Sequence, residues 1–211
     1  DDFDGGGTFV ASAGLSPWVI ADTSSAGTPT YTRLDHGTSG GAFGVAQLLF
    51  DNTSEVQNVC LSFGNKLCMD INDRLVFETR LKQGQTTADS ATSFAFGLTG
   101  DRDDAIDSVA QAMIFRYIGD NNIVCESDDG TTDLDDKATG QTLTSTYKYF
   151  KIDAQDLTNV KFFMGDSAGR LVRVAKSVTF DVSAYSGALQ PFFQLQKTAD
   201  TNTDSVQIDY V

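Results

Sequence analysis

The feature that most constrains the fold of this chain is a two-residue hydrophobic alternation running through most of its length. Successive side chains of a strand point to opposite faces, so alternation marks a strand with one face buried. Between Arg74 and Lys82, Leu75, Phe77, Thr79 and Leu81 fall on one face, while Glu78, Arg80 and Lys82 fall on the other. Phe150 and Ile152 alternate with Lys151 and Asp153 in the same way. Residues 159–164 and 170–176, joined by Gly165-Asp166-Ser167-Ala168-Gly169, read as a hairpin with a short polar loop. The same pattern predicts strands over 18–21, 31–34, 42–50, 56–63, 93–98, 111–118, 122–126, 189–197 and 205–211. No amphipathic helical pattern exceeds about two turns. Residues 104–112 come nearest to one and read as loop. Residues 100–108 and 127–145 are long and polar, and loops of that length either carry function or move.

Residue usage agrees with the pattern. Of 29 acidic residues only Glu55, Glu78 and Glu126 are glutamate, and the rest are aspartate. Glutamate favours helix interiors, while aspartate favours caps and turns. With no linker, composition break or repeat, the expectation is one domain over residues 1–211. It is an all-β, antiparallel two-sheet jelly-roll sandwich with little or no helix. Fifteen Lys+Arg leave a net charge of -14, which argues against a nucleic-acid surface and against docking on anionic membrane. No stretch approaches the roughly 18 apolar residues of a spanning helix.

Cys60, Cys68 and Cys125 are too few for a disulfide framework. Cys60 and Cys68 flank Phe63-Gly64-Asn65, and a hairpin turn centred on Gly64 would place them opposite each other. A disulfide there and two small buried hydrophobes are the alternatives, the second being the plainer. The redox compartment stays open. The chain opens at Asp1 without an initiator Met, as a processed chain or part of a longer one would.

The two ends carry a resemblance. The opening Asp1-Asp2-Phe3-Asp4-Gly5 leading to Trp18, and the closing Ile208-Asp209-Tyr210-Val211, resemble the concanavalin A-like jelly-roll superfamily. That superfamily includes laminin-G-like modules and laminarinase-type hydrolases. Gly40-Gly41, the Leu75 to Arg80 strand, the Val160 to Gly165 strand and Asp209-Tyr210 more closely resemble jelly-roll virion proteins of tailed bacteriophages. The resemblance implies a core position for Trp18. It also implies a non-enzymatic capsid decoration (cement) protein on the capsid exterior, a homo-oligomer in contact with the major capsid protein or other virion subunits. The alternative it implies is a carbohydrate-binding lectin-like module, calcium-dependent in some relatives, including a tail or fibre component that binds surface glycans.

Each candidate residue also has a plainer role open to it. The laminarinase-type enzymes carry paired carboxylates on an E-x-D-x-x-E strand, and no such run occurs here. Glu78 sits mid-strand with Arg80 on the same face, a position that suits a cross-strand ion pair. His36, the only histidine, reads as a surface residue. One histidine and three scattered cysteines make zinc improbable. Calcium takes six to eight oxygens and suits an aspartate-rich chain. Several jelly-roll relatives hold calcium where the first and last strands meet, which implies Asp4 and Asp209 as the metal pair. Asp128, Asp129, Asp133, Asp135 and Asp136 form a second candidate set without EF-hand spacing. Tyr117, Tyr147, Tyr149 and Tyr185 could form a sugar platform, and Tyr147 and Tyr149 share a strand face.

Overall fold

The computed structural model describes residue 3 and residues 7–9, 17–35, 44–84 and 91–211. In chain order its strands are β1 (Gly7–Thr8), β2 (Val19–Asp22), β3 (Thr30–Asp35), β4 (Gly44–Leu49), β5 (Glu55–Ser62) and β6 (Met69–Asp70). Then come β7 (Leu75–Gln83), β8 (Thr92–Thr99), β9 (Ala112–Ile118), β10 (Asn122–Asp128) and β11 (Asp133–Thr142). The last are β12 (Lys148–Ala154), β13 (Lys161–Gly165), β14 (Val172–Arg173), β15 (Ala188–Asp200) and β16 (Ser205–Tyr210). Three one-turn 3-10 segments are the only helical elements among the described residues.

The strands form two antiparallel sheets packed face to face, the sandwich that alternation demands. One sheet runs β1-β3-β4-β16-β7-β12-β13-β14, the other β11-β10-β9-β8-β15-β5-β2, with β6 on β15. The register of the first sheet aligns the inward residues. Phe150 lies opposite Thr79 and Met164, and Ile152 lies opposite Phe77 and Phe162. From the second sheet Phe96, Phe115 and Phe193 meet them. Phe96 is 4.8 Å from Phe150, Phe115 is 5.1 Å from Phe162, and Phe193 is 6.0 Å from Phe77. Phe193 continues to Trp18 at 6.0 Å and Phe162 to Phe180 at 4.7 Å. Burial of each such ring is worth roughly 1.5–3 kcal/mol. Trp18 is buried, as the resemblance implied.

The central strands of the second sheet are buried on both faces. Cys60, Ala95, Ala112, Ile114 and Phe192 point away from the main core and are covered by Ile106 and Val109 of the β8–β9 connection. That is why β8 reads as a nearly continuous apolar run from Phe94 to Leu98 rather than clean alternation. The short helical candidate near residue 104 is a loop with one 3-10 turn, Ile106–Ser108, as the sequence suggests.

Two expectations need correction. Residues 127–145 are not one long loop, because β11 occupies Asp133–Thr142. It is an edge strand whose pairing with β10 is twice shifted, and Asp136 and Gly140 take left-handed backbone (φ 50 and 71). The irregular register and the solvent on its outer side remove the alternation that would have marked it. Residues 63–65 do not join a hairpin, because β5 pairs with β15 and β2, while β6 pairs with β15. Cys60 is buried, Cys68 exposed, and both are free, as is the buried Cys125. Burial pushes the Cys60 thiol up to about 12. Glu78 makes the cross-strand ion pair that its position suggests, with Lys151 across the β7–β12 ladder at 3.1 Å. Asp4, His36 and Gly40-Gly41 lie outside the described residues.

The core assignment predicts unequal costs. Phe96→Ala should lower unfolding free energy by about 3–5 kcal/mol. Val56→Ala, at a position 51% exposed, should stay within about 1 kcal/mol. Urea denaturation midpoints of the two variants check this.

Candidate functional site

The β8–β9 connection crosses the outer face of the second sheet as a strap pinned at Asp104. Asn58 on β5 and Gln194 on β15 donate to the Asp104 carbonyl at 3.1 and 3.0 Å, and Gln196 donates to the same oxygen. The Asp104 carboxylate accepts from Thr23 at 2.9 Å and pairs with Arg102. Gln190 donates to the Gly100 carbonyl at 2.9 Å. Asn58, Gln190 and Gln194 are buried, so each of these bonds satisfies a group that would be costly to strand.

The strap carries Asp107 to a carboxylate cluster. Asp107, Glu126 on β10 and Asp135 on β11 bring oxygens within 4.8 Å of one another. Arg116 on β9 supplies the counter-charge, with Nη1 2.8 Å from Glu126 Oε2 and bonded also to Asp107. Burial opposes the Arg116 charge, but its bond to Asp107 and the charge of Glu126 outweigh this and raise its pKa. Burial pushes the Glu126 carboxyl up to about 7, with Arg116 pulling it down and Asp135 and Asp107 adding to the rise. Asp133 is pushed up to about 6 by burial and by the neighbouring Asp135. Sequence reasoning treated Glu126 as isolated; the fold gives it partners from three elements. Of the second calcium set, Asp128 and Asp129 are turn carboxylates that accept backbone N–H bonds from Gly130, Thr131 and Thr132. Only Asp135 joins the cluster.

Asp209 lies on the outer side of the first sheet. Its carboxylate is buried against Arg80 Nη1 at 2.6 Å, so its charge has a partner within the protein. The Arg80 guanidinium lies 4.2 Å from the Tyr147 ring centroid and 5.5 Å from that of Tyr149, with Lys82 Nζ 4.5 Å from Tyr147. The tyrosine pair anticipated as a platform is thus stacked with cations, while Tyr117 is buried in the core and Tyr185 bonds the Ala188 carbonyl.

A concavity of about 1020 Å³ opens between β11 on one sheet edge and the β13–β14 hairpin on the other. Thr139, Gln141, Ser167 and Ser177 offer hydroxyl and amide groups there, over a floor that includes the buried Met164 and Val174. Lys148, Arg170, Arg173 and Lys176 line it as well. Sequence reasoning missed these four. The available signal was charge distribution: residues 137–176 hold seven of the fifteen Lys+Arg and three of the 29 Asp+Glu.

No family model matches the sequence, and no curated protein does. Solved structures match in fold. The carbohydrate recognition domain of Emp47p aligns with TM-score 0.56 and 14% identity over 92% of this chain and 86% of its own. The calcium-bound exoplasmic/lumenal domain of VIP36 aligns with TM-score 0.56 and 9% identity over 96% and 86%. A protein of unknown function from Shewanella oneidensis MR-1 aligns with TM-score 0.56 and 16% identity over 97% and 82%. VIP36 is also known in calcium-containing forms with Man2 and Man3GlcNAc. The chain therefore shares with these domains an all-β, concanavalin A-like fold of two antiparallel sheets.

The Glu126 environment sets a pH signature. The folded carboxyl holds its proton to about pH 7, whereas the ordinary value is 4.5. Its contribution to stability is full below about pH 4.5 and is lost as pH rises to about 7. In chelator-containing buffer, Glu126→Gln should therefore gain stability relative to the parent as pH rises from 4.5 to 7. Paired melts across that range check this, and a flat difference would contradict it.

Proposed function

We propose that this chain is a carbohydrate-binding, lectin-like module without enzymatic activity, with the groove between β11 and the β13–β14 hairpin as its sugar site. The observation that carries this reading is the alignment of nearly the whole chain with the Emp47p carbohydrate recognition domain and with the VIP36 exoplasmic/lumenal domain, which is known with Man2 bound. The groove supports it, because it combines neutral donors and acceptors with a partly apolar floor, as sugar hydroxyls and ring faces require. The three glutamates sit on β5, β7 and β10, with Glu78 ion-paired to Lys151, which is in keeping with a binding role.

Calcium belongs to the proposal through Asp107, Glu126 and Asp135, carboxylate donors of the hard type that it takes. When bound it would replace Arg116 as their counter-ion and fix the strap against β10 and β11. Asp209 is the weaker candidate, because Arg80 already neutralises it. A place on a phage particle, with capsid subunits as partners and a homo-oligomeric state, is carried by the sequence resemblance alone. A tail or fibre position would be compatible with glycan binding.

A glycan array probed with the full chain, with and without calcium, tests the reading. Binding to a defined set of glycans is expected, and silence in both conditions would overturn it. A calcium titration followed by thermal melting tests the metal. A rise in Tm that Asp135→Asn abolishes assigns the ion to the cluster. No rise at millimolar calcium would leave Arg116 as the counter-ion and remove calcium from the proposal.

A further inference from the structure

We infer that the groove between β11 and the β13–β14 hairpin selects an anionic polysaccharide, one bearing uronate carboxylates or sulfates. This deepens the carbohydrate reading and rests on it. Four cations line the groove, Lys148, Arg170, Arg173 and Lys176, against one carboxylate, Asp166. Asp166 is spoken for by Lys148 at 2.9 Å. Arg173 makes its side-chain bond to a neutral partner, the Asn159 amide oxygen, at 3.3 Å. Arg170 and Lys176 are exposed and pair with no carboxylate among the described residues. In a chain where 29 acids face 15 bases, three bases together without a carboxylate partner leave a concentrated demand for an external anion.

The field of the whole protein sharpens that demand. Residues 137–176 carry a local charge of +4 within a chain of -14, so the remainder carries -18. An anion is repelled over most of the surface and is drawn to this side. The arginines present planar donor forks that match carboxylate and sulfate oxygens, and the lysines serve as point charges. The hydroxyl and amide groups of Thr139, Gln141, Ser167 and Ser177 are left for neutral sugar hydroxyls. A nucleic acid would meet the same cations, but the lining contains no aromatic ring on which a base could stack. The groove also sits where both sheets end, so a chain-like ligand can enter and leave along the open edge.

The test is affinity electrophoresis and calorimetry of the full chain with four probes: polygalacturonate, dextran sulfate, uncharged mannan and a single-stranded oligonucleotide. The variants are Arg170→Glu/Lys176→Glu, both exposed positions, and Lys66→Glu as a charge-reversal control outside the groove, each checked for an unchanged melt. The expected result is binding to polygalacturonate, dextran sulfate or both, weakened about tenfold or more between 50 and 300 mM salt. The double variant should lose it and the control keep it. Which of the two polymers binds identifies the acidic group. Mannan binding that the double variant retains would overturn the inference while leaving the carbohydrate reading standing. No binding to any glycan would overturn both. Oligonucleotide binding as tight as that of the acidic glycans would overturn the glycan assignment. Low-salt self-association lost in the double variant, without glycan binding, would assign the groove to a second copy of the chain and overturn it too.

Discussion

A continuous set of aromatic contacts holds the two sheets together, and the placement of every candidate site follows from it. Trp18, Phe193, Phe96, Phe115, Phe162 and Phe180 touch in turn across the interior, crossing from the second sheet to the first at Phe115 and Phe162. Phe193, Phe96, Phe115 and Phe162 occupy inward positions of their strands, so a one-residue slip would turn each ring to the other face of its sheet. The fixed register sets which residues face outward. It leaves Arg116 and Glu126 on the strap side of the second sheet, and Arg80 and Tyr149 on the outer side of the first.

The sandwich does not close into a barrel, and its open edges are handled in different ways. On the outer face of the second sheet, the strap buries a small second core and brings Asp107 to Arg116 and Glu126. At the edge where β11 and β14 end the two sheets, none of the described residues covers the gap, and a groove results. Unpaired edge strands invite association, and cations are a common way of discouraging it. Here the cations that would serve that purpose also make the groove selective. Charge is segregated by the fold: the carboxylates crowd around the strap, and the cations gather at the open edge.

Much of the fold is legible in the sequence. The β7 alternation of Leu75, Phe77, Thr79 and Leu81 appears in the burial of that strand, and the 159–176 hairpin forms as β13 and β14. What escapes is whatever depends on partners distant in sequence. β11 has only Leu134 as a large apolar residue, and its bulged register hides the two-residue period. Glu126 looks isolated along the chain because Asp107 and Asp135 reach it through a strap and an edge strand. Asp209 has the residue type that a calcium ligand needs, but only the fold shows that Arg80 faces it. The tyrosines share a face as their spacing suggests, but the cations stacked with them come from β7, which alternation alone does not place beside β12.

The central claim is that a glycan occupies the open edge between the two sheets. The most direct measurement is an NMR titration of the isotopically labelled chain with a short oligogalacturonide. The account predicts amide shift changes concentrated in residues 138–141 and 164–177, with the Tyr147–Tyr149 face and the strap unaffected. Changes centred on the strap or on the tyrosine face would contradict the location, and no change at saturating oligosaccharide would contradict the claim itself.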